Sequence, residues 1–368
     1  MEKKLSHTTT VTKQTTVPGE VIPLLLSTFL GTPGKTLYQH LQTATKIYDI
    51  RHPFFFTLKR LGTLICTVCL AWRKTELAAS EPIDSFYIRY FVANPTFRGK
   101  GHRNKKVRSN EPNGIIKQFM ENVFSSGSSI QTFSPHSAKA LFYAYVESEN
   151  EQSMHLCHHY RFRPVREMVT VAFSRFSPHA HSCVRKAQPH EYDVLRQRVE
   201  AHYAVHSFVC TEHLFYQDNY FVAEQDGRVV AGLQANPTQW AIKNLPGASG
   251  KVLIRILPFV PYLRRLINPN KFSFSAIEGI FYEDGCEWAI GALLETAIAA
   301  QGYHSALMWF DSACPVLTEV RKHCELGLVD KINASGCAEI IVRGQNLTDE
   351  DWLWLENTPA YISCFDLT

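Results

Sequence analysis

The sequence predicts an α/β protein made of two consecutive domains, each with a mixed sheet flanked by helices. Three observations carry this reading. The chain has 368 residues, too many for one small core and enough for two ordinary domains. Short β-rich apolar runs alternate with stretches of helical spacing, the pattern of sheets covered by helices. The order of these runs, β-αα-ββ-β-α-β-α-β, occurs twice, each pass covering roughly 165 to 175 residues.

In the first pass, the Thr-rich residues 7–16 alternate like a strand, and residues 18–30 and 37–50 have helical spacing. "FFFTLKR" and "TLICTVCLAW", split by a turn containing Gly62, read as a hairpin. "SFYIRYFVAN" is the next strand, followed by a cationic loop and a helix over about 113–125. "ALFYAYVE" is a strand, "ENEQSMHLCHHY" a helix and "EMVTVAF" a closing strand. Residues 174–182, "SRFSPHAHS", read as a linker. This places one domain at 1–176 and the other at 180–368.

The second pass repeats the order. "HSCVRKAQ" is a strand, 191–209 a helical stretch, and "NYFVAEQDGRVVAGLQANP" a hairpin turning at Asp226-Gly227. An inserted apolar segment at 247–268 carries Arg255, Arg264 and Arg265, and its helix is expected to break at Pro258 and Pro261. Its position suits a cap packed over a cleft or between domains; a basic amphipathic stretch also suits a membrane surface. "FSFSAIEGIFY", "EWAIGALLETAIAAQGY", "HSALMWFD", "CPVLTEVRKHCEL" and "AEIIVRG" continue as strand, helix, strand, helix and strand. A C-terminal extension opens with Thr348 as a helix cap before three acidic residues and is expected to go on as a strand.

Composition narrows the function classes. At 45% hydrophobic and 20% charged residues, the chain is globular rather than disordered. A formal charge of +4 is modest for this length and does not mark a nucleic-acid binder. No apolar run reaches the length of a transmembrane helix, and the N-terminus lacks the apolar core of a signal peptide. Ten cysteines scattered along a long chain suit reduced thiols, and a cytoplasmic location is expected. Cys66 and Cys69 form a CxxC inside a strand pattern, where residues three apart point to opposite faces; they read as buried thiols. No metal set is expected.

The chemistry concentrates in "ANPTFRGKGHRNKK". Arg98, Lys100, Arg103, Lys105, Lys106 and Arg108 follow a strand end with no acidic residue among them. A loop between a strand and a helix aims backbone N–H groups at one point, and its glycines let that backbone close on a phosphate. Added guanidinium and ammonium groups suit a ligand with several phosphates.

"VANPTFRGKGHR" resembles the strand-end motif V-x-P-x-[YF]-[RQ]-G-x-G-x-[GA] of the GNAT superfamily of acyl-CoA-dependent N-acyltransferases. Val92, Pro95, Phe97, Arg98, Gly99 and Gly101 match in register, while Arg103 stands where a small residue is expected. "NEQSMHLCHHYRF" resembles a second motif, N-x-x-A-x-x-L-Y-x-x-x-G-F, at Asn150, Ser153, Leu156 and Phe162; Cys157 takes its tyrosine position and Arg161 its glycine position. The resemblance implies two tandem GNAT-like domains, each with a mixed, mostly antiparallel sheet. It implies acetyl-CoA, or coenzyme A, held by Val92, Phe97, Arg98, Gly99, Lys100, Gly101, His102, Arg103 and Asn150. In this family an amine attacks the thioester directly, aided by a base and by an acid that protonates the leaving thiolate.

In the first copy Cys157 takes the acid position, and Glu147, Glu149, Tyr87 and Tyr90 are base candidates. In the second copy, setting Gly327-Leu328 on the family's Gly-Phe puts His323 at the acid position, with Glu278 inside the fourth strand and Asp311 ending the fifth. The second phosphate loop, "YEDGCEW", carries Glu283, Asp284 and Glu287 in place of cations, which disfavours a pyrophosphate there. The reading is an N-acyltransferase that moves an acetyl group from acetyl-CoA, held by the first domain, to a small-molecule or peptide amine. The rival is a catalytically inactive pair that binds a ligand or a partner. A third reading is a transferase using a longer acyl-CoA or an aminoacyl-tRNA.

Overall fold

The structure is a computed structural model, and it describes residues 2–6, 8–77, 82–97, 114–125, 139–332 and 337–368. The cationic loop from Arg98 to Arg108 lies outside the described residues. The chain begins with strands β1 (Glu2–Ser6) and β2 (Thr9–Gln14), a short helix α1 (Val21–Leu26), strands β3 (Leu30–Gly31) and β4 (Leu37–His40), and α2 (Thr43–Lys46). Then come β5 (Pro53–Arg60), β6 (Thr63–Thr75), β7 (Ile83–Ala93), α3 (Gly114–Ser125), β8 (Ala140–Glu147), α4 (Glu151–His159) and β9 (Arg163–Ser174). The second pass gives β10 (Val184–Lys186), α5 (Tyr192–His202), β11 (Tyr220–Gln225), β12 (Arg228–Asn244), α6 (Gly247–Ile256), α7 (Pro261–Leu266) and β13 (Phe272–Tyr282). It closes with α8 (Ala289–Ala300), β14 (Ser305–Asp311), α9 (Pro315–His323), α10 (Leu328–Ile332), β15 (Cys337–Gln345) and α11 (Asp349–Asn357).

These elements gather into two compact units, each drawn from three segments: Met1–Thr28, Thr43–Val165 and Ile340–Trp354 in the first; Phe29–Gln42, Arg166–Glu339 and Leu355–Thr368 in the second. The division differs from a linear one at 176–180. Most of β9, which closes the first pass in sequence, counts with the second unit, and residues 340–345 of β15 count with the first.

In the first unit the strands run β1-β2-β5-β6-β7-β8-β15. The hairpin of β5 and β6 turns at Leu61-Gly62, both at positive φ, as tight two-residue turns require. Phe54, Phe56 and Leu58 of β5 share one core with Phe86, Phe142, Phe119, Val123 and Phe124, while Phe55 is buried away from that cluster. Both faces of this sheet are therefore covered. Cys66 and Cys69 are fully buried thiols outside any disulfide.

In the second unit the order is β9-β14-β13-β12-β11-β10, with β4 paired to the far end of β12. Asp226 and Gly227 have φ of 50° and 72°, so the turn read from sequence forms. The core lies between the sheet and α8, whose Ala289, Ile290, Leu293, Leu294, Ala297 and Ile298 are fully buried.

Two expected helices shrink. Residues 18–30 give only α1. Within 37–50, residues 37–40 form a strand, because Tyr38 and His40 stack on Trp240 of β12 at 4.3 and 5.3 Å between ring centroids and the backbone completes the sheet edge. Pro258 and Pro261 break the insertion into α6, a single 3-10 turn and α7, as their missing N–H groups dictate. Phe259 there is 84% exposed. Thr348 caps α11 reciprocally with Asp351, whose carboxylate accepts from the Thr348 N–H at 2.8 Å. Beyond that helix the tail makes one parallel bridge, Ala360 with Ser207, in place of the expected strand.

Candidate active site

Among the described residues each unit shows a parallel strand pair joined by a β-α-β crossover, and the two pairs part in the same way. β7 and β8 pair from Asp84↔Ala140 to Tyr87↔Tyr143, after which Ile88 onwards and Ala144 onwards separate. β13 and β14 pair from Ser275↔Ala306 to Ile277↔Met308 and then separate. Just past each parting the outer strand carries a bulge. Cys69 faces Arg89 and Thr67 faces Val92, so Tyr90 and Phe91 stand against Val68 alone. Gln234 faces Glu278 and Gly232 faces Phe281, so Gly279 and Ile280 stand against Leu233 alone. The extra residue bends the strand away from its parallel neighbour. It also forces a left-handed backbone at the same place in both copies, φ 54° at Tyr90 and 58° at Gly279. By this register Arg89 is the counterpart of Glu278, and both are buried.

Aromatic rings and cations gather on the strands of the first parting. Tyr87 packs on Tyr143 and Tyr145 with centroids 5.3 and 5.4 Å apart. Arg73 lies 5.4 Å from the Tyr87 ring centre and donates to the Tyr143 hydroxyl at 2.8 Å. Arg89 lies 4.8 Å from the ring of Tyr90. Val92 is buried on β7, and Phe97 ends a single helical turn, residues 95–97, that leads into the cationic loop. Glu147 ends β8, half-buried, and Glu149 is exposed in the turn that follows. Of the expected cofactor-binding set, Arg98, Gly99, Lys100, Gly101, His102 and Arg103 lie outside the described residues.

Asn150 has a local role: its side chain accepts the Ser153 N–H at 3.1 Å and caps α4. Cys157 packs on α4 against the first core, and burial pushes its thiol up to about 12. Proton transfer from such a thiol to a departing thiolate runs uphill, and the group stays a thiol at neutral pH. Arg161 sits at φ 63° just past α4; its N–H reaches the His158 carbonyl and the Phe162 N–H reaches that of Cys157, both at 2.9 Å. This is a Schellman cap, which explains the glycine expected at this position.

The second cleft gathers a different set. Glu278 is 5% exposed and accepts three hydrogen bonds: from Asn236 Nδ2 at 3.1 Å, Ser363 Oγ at 2.7 Å and the Cys364 N–H at 3.0 Å. Burial raises its pKa above the ordinary carboxyl range, and the Ser363 and Cys364 donors offset only part of that. Tyr203, Tyr361, Trp309, Phe310 and Cys314 line a cavity of ≈ 20 Å³ beside it, about the size of one water. His206 Nε2 lies 3.6 Å from Cys314 Sγ. The space between the diverging strands is occupied by the chain itself: the Ala360 N–H reaches Asp311 on one strand at 3.0 Å, and Cys364 reaches Glu278 on the other.

Asp311 is fully buried and paired to Arg166 through two short bonds, 2.7 and 2.6 Å. Its oxygens also accept from Ala313 and Ala360, which is a tethering role. His323 ends α9, exposed, with Nε2 3.2 Å from Glu319. It is not among the residues lining the cavity beside Glu278.

The loop after β13 satisfies its own amides. Glu287 Oε1 accepts the Gly285 N–H at 3.1 Å, and a bond from its own backbone N–H, followed by this one, holds its carboxyl below the usual range. Cys286 N donates to the Glu283 carbonyl at 2.9 Å, and the Glu283 carboxylate pairs with Arg198 at 2.8 Å. A carboxylate of the chain thus already takes up the Gly285 N–H of this loop.

Arg73, Arg89, Asn236, Tyr203 and Tyr361 were not singled out from sequence. Alternation in "SFYIRYFV" puts Arg89 on the face of Tyr87, a usable signal. Tyr203 and Tyr361 come from distant parts of the chain and gave none.

No protein-family model matches the chain, and no curated protein matches it in sequence. Solved structures do. N-myristoyltransferase from Saccharomyces cerevisiae with bound myristoyl-CoA matches with a TM-score of 0.56 at 8% identity, over 99% of this chain and 87% of that one. Another structure of that enzyme gives 0.54 at 8% identity, over 93% and 84%. A GCN5-related N-acetyltransferase from Sphaerobacter thermophilus matches less closely, at 0.46 and 12% identity over 79% of this chain and 80% of that one. At 8% identity the likeness to N-myristoyltransferase is one of fold, and it spans both units. The chain has the GNAT fold in two consecutive copies.

Proposed function

We propose that the protein is an acyl-CoA-dependent N-acyltransferase whose first copy holds the thioester, with acetyl as the acyl group and a small-molecule or peptide amine as acceptor. The observation that carries this is the bulged parting of β7 from β8 directly before the cationic sequence that starts at Arg98. A thioester laid into such a cleft leaves its phosphates at the strand end, where Arg98, Lys100 and Arg103 follow in sequence. Solved N-myristoyltransferase, with the same fold, carries myristoyl-CoA. In the second copy Glu287 satisfies the corresponding amides and the tail fills the cleft, so a division of labour is the simplest account. Glu147 at the end of β8 is the base we assign to the first copy. Direct attack on a thioester needs chiefly a neutral amine and positioning, so an unactivated carboxylate suffices. The burial of Cys157 favours the rival, a ligand-binding pair without turnover, in one respect: it removes the expected proton donor.

Calorimetric titration with acetyl-CoA and with myristoyl-CoA, on wild type and on Arg98→Glu/Lys100→Glu, tests the assignment, alongside release of free CoA thiol with an amine panel. Wild-type binding that weakens at least about tenfold in the double variant places the cofactor in the first copy. Binding without thiol release supports the rival. No binding of either thioester refutes the proposal. The tighter ligand of the two decides the acyl length.

A further inference from the structure

Residues 179–181, His-Ala-His, follow β9 and lie on α8 of the same unit. His179 Nδ1 is 2.7 Å from Glu295 Oε1, and His181 Nε2 is 3.5 Å from Glu295 Oε2. The two imidazole centroids are 4.5 Å apart, and the three ligand atoms all lie within 4.8 Å of one another. The backbone fixes this meeting independently of the rings. The His181 N–H donates to Thr296 Oγ1 at 2.9 Å and the His179 N–H to Glu295 Oε1 at 3.4 Å, so the loop is laced to one turn of α8.

We propose that His179, His181 and Glu295 form a binding site for a divalent transition-metal ion of the zinc class. Two imidazoles and one carboxylate are a ligand set that zinc takes in protein sites, with water in the remaining position. At metal–ligand bonds of 2.0–2.1 Å, tetrahedral donors stand about 3.3 Å apart, and the His181–Glu295 separation is already close to that. The carboxylate is 10% exposed, whereas His179 and His181 are 65% and 33% exposed, so an ion has an open approach and room for its water. The neighbouring cation is held in place by other groups: Arg175, with Nε 3.6 Å from Glu295 Oε2, donates to the carbonyls of Ser174 and Glu325 and lies over Phe173. It faces Oε2, the oxygen nearest His181, and leaves Oε1 to His179 Nδ1. The site stands apart from the acyl-transfer reading and holds or fails on its own.

The test uses the full chain, stripped of metal by chelation and titrated with Co²⁺ and then Zn²⁺. Wild type is expected to take up one Co²⁺ with visible d–d absorption of a nitrogen/oxygen site, displaced by Zn²⁺. His179→Ala and His181→Ala are expected to weaken Zn²⁺ binding by at least about 100-fold, with unfolding midpoints in chelator equal to wild type. Zn²⁺ at saturation should raise the midpoint of wild type alone. The ten cysteines provide the main competing ligands, and they announce themselves by thiolate-to-cobalt charge-transfer bands. Uptake that carries those bands and persists in both variants overturns the proposal, as does no uptake by wild type.

Discussion

At the scale of single residues, two buried carboxylates in the second unit behave in opposite ways. Asp311 was expected at the end of the fifth strand as a site residue, and the structure gives it a guanidinium partner and two backbone N–H groups. Removing one member of a buried pair leaves an uncompensated charge, so Asp311→Ala should lower stability by about 3–5 kcal/mol, read by urea unfolding. The three groups that donate to Glu278, from Asn236, Ser363 and Cys364, are all neutral, and burial raises its pKa. A carboxyl raised on folding favours the native state fully below its unfolded pKa and loses that contribution as pH rises through the folded value. Glu278→Gln should therefore gain on wild type as pH goes from about 4.5, the ordinary value, into the neutral range. A gain that instead grows toward acid would mean that the three donors outweigh burial. Glu278 was legible through the resemblance, which implies a carboxylate inside the fourth strand, here "FSFSAIEGIFY". Its partners Asn236, Ser363 and Cys364 were not, since only the tertiary fold brings them to it.

Elements repeat between the copies more faithfully than residues do. The bulge past each parallel pair recurs with Tyr90 in one copy and Gly279 in the other, although tyrosine pays for a positive φ and glycine does not. A Cβ at Gly279 would stand 2.5 Å from Leu214 Cδ2, so packing also selects glycine there. Two turns outside the sheets tell the same story. The sequence placed Arg161 and Gly327 at one family position, and both have positive φ, 63° and 91°. Arg161→Gly should stabilise the protein by about 1 kcal/mol, since a side chain in the left-handed region costs about 1–2 kcal/mol and glycine returns part of that as chain entropy. Gly327→Ala should do the reverse by more than about 1 kcal/mol, because the added Cβ meets the Ser174 carbonyl at 2.4 Å. Thermal midpoints of the two variants check both signs. The positions of Arg161 and Gly327 were readable through the family motif; the bulges at Tyr90 and Gly279 were not. The strand at Leu37–His40 was not readable, because its apolar spacing suits a helix and only Trp240 across the sheet decides against it.

For the whole molecule, the repeat in sequence and the division in space do not coincide. Periodicity reveals each strand but not its neighbour, so the sequence suggested a cut between 176 and 180, after a strand that closes the first pass. In the structure the first unit takes residues 340–354, and β8 has β15 as its neighbour in the strand order. Ile341 belongs to the first core, while Arg343 donates to the Tyr160 carbonyl at 3.2 Å and Gln345 to that of Phe124 at 2.8 Å. A fragment of residues 1–176 lacks all of these. It keeps β8 as an apolar edge with unpaired N–H and carbonyl groups, which favours association with other chains. Expressed alone, this fragment should be largely insoluble or unfold without a cooperative transition. Co-expression with residues 180–368, which restores β15, should recover a soluble pair that copurifies and unfolds cooperatively. A fragment 1–176 that is monomeric and unfolds cooperatively by itself would show that the first unit is complete without the returning strand.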